Sequence, residues 1–432
     1  MDAFKKEPVF PTVWRLGKAS VLAAMAVLAV LRLGPQARAQ EEVETFIPKT
    51  YPAPPYHDPD PAKYNLKFGN LEARVSADVQ VEYNDNINLA AHHGLSDWDF
   101  GPDVKVGFVY PISLTQLMQF NVGFGYRWYL KASSLNTFTV APDSRLDYRL
   151  VIHQTVSLSF YDAFQIQNNP TSLPQLAGST PGLLDYIRII NVIGVLARWQ
   201  PNPQLSLLAG VSYTVNSSLT GAFTALDYKT YSFTAGAMYK VSTPLTVGIL
   251  GGYSFTVYDQ QIQNNGDSFY LGPVASLKIT KTIGLDASLY YTVSDFQHTG
   301  SIADTSDFEG LTYAATLRQK LNKWLSQDVK VSHSVGMGVG NDYTTQTVFQ
   351  YDLTARLNRA ITANTSFSYS PFAASGVGGE SGDTYVWYVG LNYKVSKDWG
   401  AGVAYTLAWK DSSLPGHQYT DDRVTFQVSH LF

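Results

Sequence analysis

From Leu71 to the last residue the chain alternates apolar and polar side chains, and this period of two excludes helical architectures before composition is considered. In the first stretch Ala73, Val75, Ala77, Val79, Val81 and Tyr83 point one way, while Glu72, Arg74, Ser76, Asp78, Gln80 and Glu82 point the other. The stripe returns as Met118, Phe120, Val122, Phe124, Tyr126 and Trp128, and as Leu245, Val247, Ile249, Gly251, Tyr253, Phe255 and Val257. It closes the chain as Tyr385, Trp387, Val389, Leu391, Tyr393 and Val395, then Trp399, Ala401, Val403, Tyr405, Leu407 and Trp409. Aromatics gather at the stripe ends with aliphatic or small residues between them. Strands that face lipid between two membrane interfaces have this distribution.

The connections alternate in length. Short links fall at 111–116, 153–154, 200–204, 242–244, 280–282, 322–324, 358–360 and 396–398. Longer polar segments fall at 84–97, 131–136, 168–184, 216–226, 260–267, 296–309, 339–345, 372–383 and 411–421. Eight short and nine long connections join about eighteen strands, within a range of sixteen to eighteen, in the pattern of short periplasmic turns and longer external loops. Only a closed sheet satisfies every backbone donor and acceptor in hydrocarbon. The expected fold is all-β: a transmembrane antiparallel outer-membrane β-barrel over residues 71–432, in the cell outer membrane. A secreted β-solenoid or large sandwich is the competing fold.

The first residues fix the compartment. Lys5, Lys6, Arg15 and Lys18 precede an apolar run at 21–31, and Ala37-Arg38-Ala39 forms a small-x-small cleavage site, so residues 1–39 read as a signal peptide. The apolar run is too short for a membrane-spanning helix. Residues 40–70 hold Pro48, Pro52, Pro54, Pro55, Pro59 and Pro61 without periodicity and read as an extended periplasmic leader. The chain has no Cys, which removes disulfides, thiol catalysis and Cys-ligated zinc. A formal charge of −4 gives no sign of nucleic acid as a partner.

The last strand alternates from Arg423 to a terminal Phe432, an ending that resembles the insertion signal read by the barrel-assembly machinery, with His430 where an apolar residue is more usual. The signal peptide, the Pro-rich leader, YNDNINLA from Tyr83 and NTFTVAPDSRLDYRL at 136–150 together resemble the family called "putative β-barrel porin 2". That resemblance implies a pore, with a link to exopolysaccharide secretion in some members, and no catalytic residues.

Function in such a barrel belongs to the inward positions, since outward ones meet lipid. Pore-lining candidates are Arg74, Arg127, Arg145, Arg149, Arg188, Arg198, Arg318, Lys320, Lys330, Arg356, Asp286 and Asp352. With Lys105, Lys240, Lys278, Lys394, Lys410 and Arg423 the lumen is expected to hold sixteen bases against seven acids, namely Glu72, Asp78, Glu82, Asp147, Asp286, Asp328 and Asp352. A net positive wall favours anions. Two bland readings compete: cross-strand pairing that merely stabilises a polar interior, and, for Lys240, Lys278, Arg356 and Lys394, a position at the periplasmic rim.

Enzymatic readings find little support. None of the eight His has metal-ligand spacing, and only His92 and His93 are adjacent. No Ser or Asp stands with a His and an orienting partner. The leader is too short for the plug of an energy-coupled importer. The expected function is a porin-like channel without cofactors, either an exit pore for an exopolysaccharide or a passive pore for small anionic solutes, with outer-membrane lipid as its surround. A closed or plugged barrel with a structural or adhesive role is the alternative. The amide and acid cluster Asn84 to Asn88 reads as the outer end of the first strand, with a calcium site as the competing reading.

Overall fold

The computed structural model describes residues 64–167 and 187–432. The expected signal peptide, nearly all of the leader and the loop 168–184 lie outside the described residues. The strands are β1 (Leu66–Phe68), β2 (Leu71–Asn84), β3 (Asp97–Ser113), β4 (Gln116–Tyr129), β5 (Thr137–Val140), β6 (Arg145–His153), β7 (Val156–Gln167), β8 (Arg188–Trp199), β9 (Leu205–Ser218) and β10 (Tyr228–Lys240). They continue as β11 (Leu245–Tyr258), β12 (Gly266–Lys278), β13 (Ile283–Phe296), β14 (Phe308–Lys320), β15 (Leu325–Met337), β16 (Tyr343–Arg356), β17 (Ile361–Ala374), β18 (Ser381–Lys394), β19 (Trp399–Ser412) and β20 (Tyr419–Leu431).

Every strand pairs antiparallel with its neighbours, and β2 pairs with both β3 and β20, which closes the sheet on itself. Strands β5 and β6 share one stave and β1 stands outside the ring, so the barrel has eighteen staves. Each short link and each described long loop lies where the alternation ends in the sequence. One parity of each strand carries the exposed apolar side chains, such as Val79, Phe124, Ile193, Phe233, Leu271 and Phe349, and this outer face is the lipid belt of an outer-membrane barrel.

Two departures are local. The motif at 136–150 is not one strand: Ala141 to Ser144 bulge out of the ladder between Val140 and Arg145. Four residues there face two on β4, and a Cβ on Gly123 would meet Ala141 at 2.7 Å, so Gly123 makes room for the bulge. The second departure is β1, formed within the segment expected to lack strands. Strand β20 covers β2 only as far as Ser76, Phe432 donates its amide to the Val75 carbonyl at 3.0 Å, and β1 covers Leu71 to Ala73. Together they leave no bare edge at the seam.

The lumen wall of β7 to β13 is built from large side chains laid over glycines on a neighbouring strand. A Cβ on Gly252 would lie 2.5 Å from the Tyr270 ring, on Gly236 2.7 Å from Leu250, and on Gly194 2.5 Å from Tyr161. Side chains that lie flat take little of the bore. Leu250, Val274 and Tyr290 form a small apolar cluster on this wall, with Leu208, Met238 and Tyr270 against it.

Candidate functional site

All twelve pore-lining candidates fall on the inward parity, but the structure puts them to different uses. Arg127 lies over Gly101 and faces Asp99 at 3.8 Å and Asp103 at 3.3 Å. Arg145 holds Asp147 at 2.8 Å and covers the Tyr161 ring at 4.4 Å. Arg318 pairs with Asp286, and Lys330 with Asp352 at 3.3 Å. Arg198 donates to Ser206 Oγ at 2.8 Å, near Arg149 on the same wall. Arg74, Lys320 and Arg356 are exposed at the short-turn ends of their strands.

Arg188 does not line a solute path. It is 0% exposed, and its guanidinium bonds Asp227 Oδ1 at 2.9 Å and the carbonyls of Leu226 at 2.8 Å and Asn216 at 3.1 Å. An arginine surrounded by acceptors in this way clamps the loop 219–227 to the outer end of the barrel.

Four inward acids escape the sequence reading: Asp97, Asp99, Asp103 and Asp421. Gly101-Pro102 interrupts the alternation in β3, and Asp421 sits at the edge of a loop-like run. They bring the inward acids to eleven against sixteen bases. Eight of those bases lie within ion-pair distance of a carboxylate: Lys105, Arg127, Arg145, Arg188, Arg318, Lys330, Lys410 and Arg423. The net positive lumen expected from sequence is therefore compensated at half of its bases. Charge is also unevenly placed: on β9 to β12 the inward residues are Ser, Thr, Gly, Asn, Tyr and aliphatics, apart from Lys240 and Lys278 at the rim. Strands β20 and β2, half a turn of the barrel from β11 and β12, carry Asp421, Arg423, Asp78 and Glu82.

At the opposite mouth the long loops are tied together. Asn264 donates to Asp342 Oδ1 at 2.7 Å and to the Asp304 carbonyl at 3.1 Å, and the Ser375 hydroxyl donates to Asp304. Burial raises the Asp342 carboxyl above its ordinary value, and the Asp304 charge adds to this. Burial also pushes Asp304 upward, but the Asp342 amide and the Ser306 and Ser375 hydroxyls outweigh it and hold Asp304 below the usual range. The Asn84 to Asn88 cluster caps strand β2: Asn84 accepts the Asn86 amide at 2.7 Å, while Asn86 donates to the carbonyls of Ala90 at 2.9 Å and Thr420 at 2.8 Å. Among the described residues no group of three His, Cys, Asp or Glu is placed to hold a metal ion.

The fold and its apolar belt define an integral outer-membrane β-barrel. A family model described as "Putative MetA-pathway of phenol degradation" matches residues 191–302, most of β8 to the loop after β13. The chain is similar to the Pseudomonas aeruginosa outer membrane protein OpdK, with 12% identity over 84% of this chain and 99% of that one, at a TM-score of 0.46. It is similar to Pseudomonas aeruginosa OpdQ at 11% identity, 84% and 100% coverage and a TM-score of 0.48. For Acinetobacter baumannii OccAB3 the values are 10%, 83%, 99% and 0.47. No curated protein matches the chain.

Proposed function

We propose that this barrel is a porin-like diffusion channel for small hydrophilic solutes, with a modest preference for anions. The observation that carries the reading is the wall of β7 to β13, where Tyr161, Tyr270 and Leu250 lie over Gly194, Gly252 and Gly236. Glycines at these inward positions conserve bore in a ring of eighteen staves, a size at which a barrel encloses an aqueous channel. The exposed bases Arg74, Lys240, Lys278, Lys320, Arg356 and Lys394 cluster at the short-turn mouth, where they raise the local concentration of anions.

The test is single-channel recording of the purified protein in planar bilayers. Steady conducting steps with a reversal potential favouring anions are expected. Electrical silence overturns the channel, and a reversal potential favouring cations overturns the selectivity. An exopolysaccharide as cargo rests only on the family resemblance carried by the leader, YNDNINLA from Tyr83 and the motif at 136–150. Uptake of sized neutral dextrans into vesicles separates this polymer path from a small-solute pore.

A further inference from the structure

The short turns that follow β10, β12, β14, β16 and β18 repeat one hexapeptide: KVSTPL from Lys240, KITKTI from Lys278, KLNKWL from Lys320, RLNRAI from Arg356 and KVSKDW from Lys394. In each the third amide donates to the sixth carbonyl, as from Thr280 to Ile283 at 3.2 Å and from Ser396 to Trp399 at 3.1 Å. The turns are also bonded to one another. The amide of Lys278 reaches the Pro244 carbonyl at 2.8 Å, that of Lys320 reaches Thr282 at 2.8 Å, Arg356 reaches Trp324 at 2.7 Å and Lys394 reaches Ala360 at 2.8 Å.

This arc over half of the periplasmic mouth presents nine exposed Lys and Arg side chains, at the first and fourth positions, against one carboxylate, Asp398. The other three short turns, at 114–115, 154–155 and 200–204, hold no charged residue. Because the turns are fixed by backbone hydrogen bonds, the backbone that carries these cations needs no ordering when an anionic chain lies on it. Like charges so close together also gain from neutralisation.

We infer that the acidic leader, residues 41–63, docks along this arc. The leader carries Glu41, Glu42, Glu44, Asp58 and Asp60 against Lys49 and Lys63. It joins the barrel beside the last turn of the arc: Asp398 accepts the Leu431 amide at 2.8 Å, Phe432 bonds Val75, and Ala73 holds β1. Its length suffices, since 23 residues of Pro-rich chain reach about 70 Å at ~3.1 Å per residue. The five turns span about 50 Å, at two strand spacings per step along tilted strands. Asp58 and Asp60 then meet Lys394 and Lys397, and the Glu41 to Glu44 group meets the far turns.

Because the chain has no Cys, paired cysteines report this contact against a clean background. In outer-membrane fragments carrying the full exported chain, Asp58→Cys with Lys397→Cys and Glu42→Cys with Lys281→Cys are expected to form disulfides. Their yield is expected to be at least tenfold above Glu42→Cys with Thr115→Cys on a neutral turn, and to fall in molar salt, where screening is nearly complete. No disulfide, or equal yield at Thr115, overturns the inference and leaves the arc to a partner in trans or to lipid headgroups. As a second measurement, labelled peptide 41–63 is expected to bind a barrel starting at Tyr64. Binding should weaken at least tenfold when Lys281, Lys323, Arg359 and Lys397 are all changed to Gln; unchanged affinity overturns it. Neither readout requires the barrel to conduct.

Discussion

Asp342 donates its backbone amide to Asp304 Oδ2 at 2.9 Å, so an acid of the loop between β15 and β16 is fastened to an acid of the loop between β13 and β14. Asn264 from a third loop and Ser375 from a fourth complete the knot, and Phe296 and Phe308 pack on Tyr343 beneath it at 6.1 and 5.5 Å. Asp304 is the hub, since its carboxylate receives two backbone amides and two hydroxyls.

The knot should respond to pH through Asp304. Its folded value is depressed, so its contribution is present above the ordinary Asp range near 4 and is lost as pH falls through the lower folded value. Asp342 is raised and acts in the opposite sense: its contribution is full below the ordinary range and fades as pH rises through the folded value. Asp304→Asn is expected to cost about 2 kcal/mol of loop-opening free energy at neutral pH, as for loss of hydrogen bonds to a charged acceptor. Hydrogen exchange of the loops at 297–307 and 338–342 measures it. Protection equal to the native protein refutes the hub.

Gly252 and Tyr270 offer a direct lever on bore. A methyl group at 252 would displace the Tyr270 ring from its seat toward the lumen axis. Gly252→Ala is expected to lower single-channel conductance and to cost about 1–3 kcal/mol for overpacking. Tyr270→Ala should raise conductance, and the double variant should match Tyr270→Ala alone. A double variant as narrow as Gly252→Ala would show that the ring is not what obstructs the bore.

Much of this fold was legible because alternation and turn chemistry are local. Asn322 and Asn358 each accept two amides within their own turns, so chain reversal could be read from a few residues. Ion pairing was not legible, since Arg127 meets Asp103 across the ladder, 24 residues away. Nor was the clamp role of Arg188, whose parity alone suggested a pore position. The basic arc is present in the sequence as a hexapeptide repeated about every forty residues, and only the closed sheet brings its five copies side by side.

Arg127 governs the charge of the first staves. Arg127→Gln leaves Asp99 and Asp103 facing the lumen without their shared cation, so the reversal potential is expected to move toward cation preference. Asp103→Asn should move it the other way. Stability should fall by about 1–3 kcal/mol in the arginine variant, as expected when a hydrogen-bonded charge loses its partner. Reversal potentials in a tenfold salt gradient decide the matter, and a shift of the same sign in both variants would rule out this electrostatic account.

His430, the residue that departs from the usual apolar ending, stands between two rings: Trp399 at 4.4 Å and Phe432 at 4.6 Å, the second nearly perpendicular at 80°. Its flat ring therefore fills an aromatic slot on the outer face beside the seam, while Nδ1 is buried without a hydrogen-bond partner. The ring contacts matter more than the imidazole polarity, because two aromatic contacts are worth about 0.5–1.5 kcal/mol each and the unpartnered nitrogen opposes them. His430→Phe is expected to match or exceed the native barrel in urea unfolding from lipid vesicles, whereas His430→Ala should lose about 1–3 kcal/mol. If alanine is tolerated as well as phenylalanine, the seam does not depend on this stack.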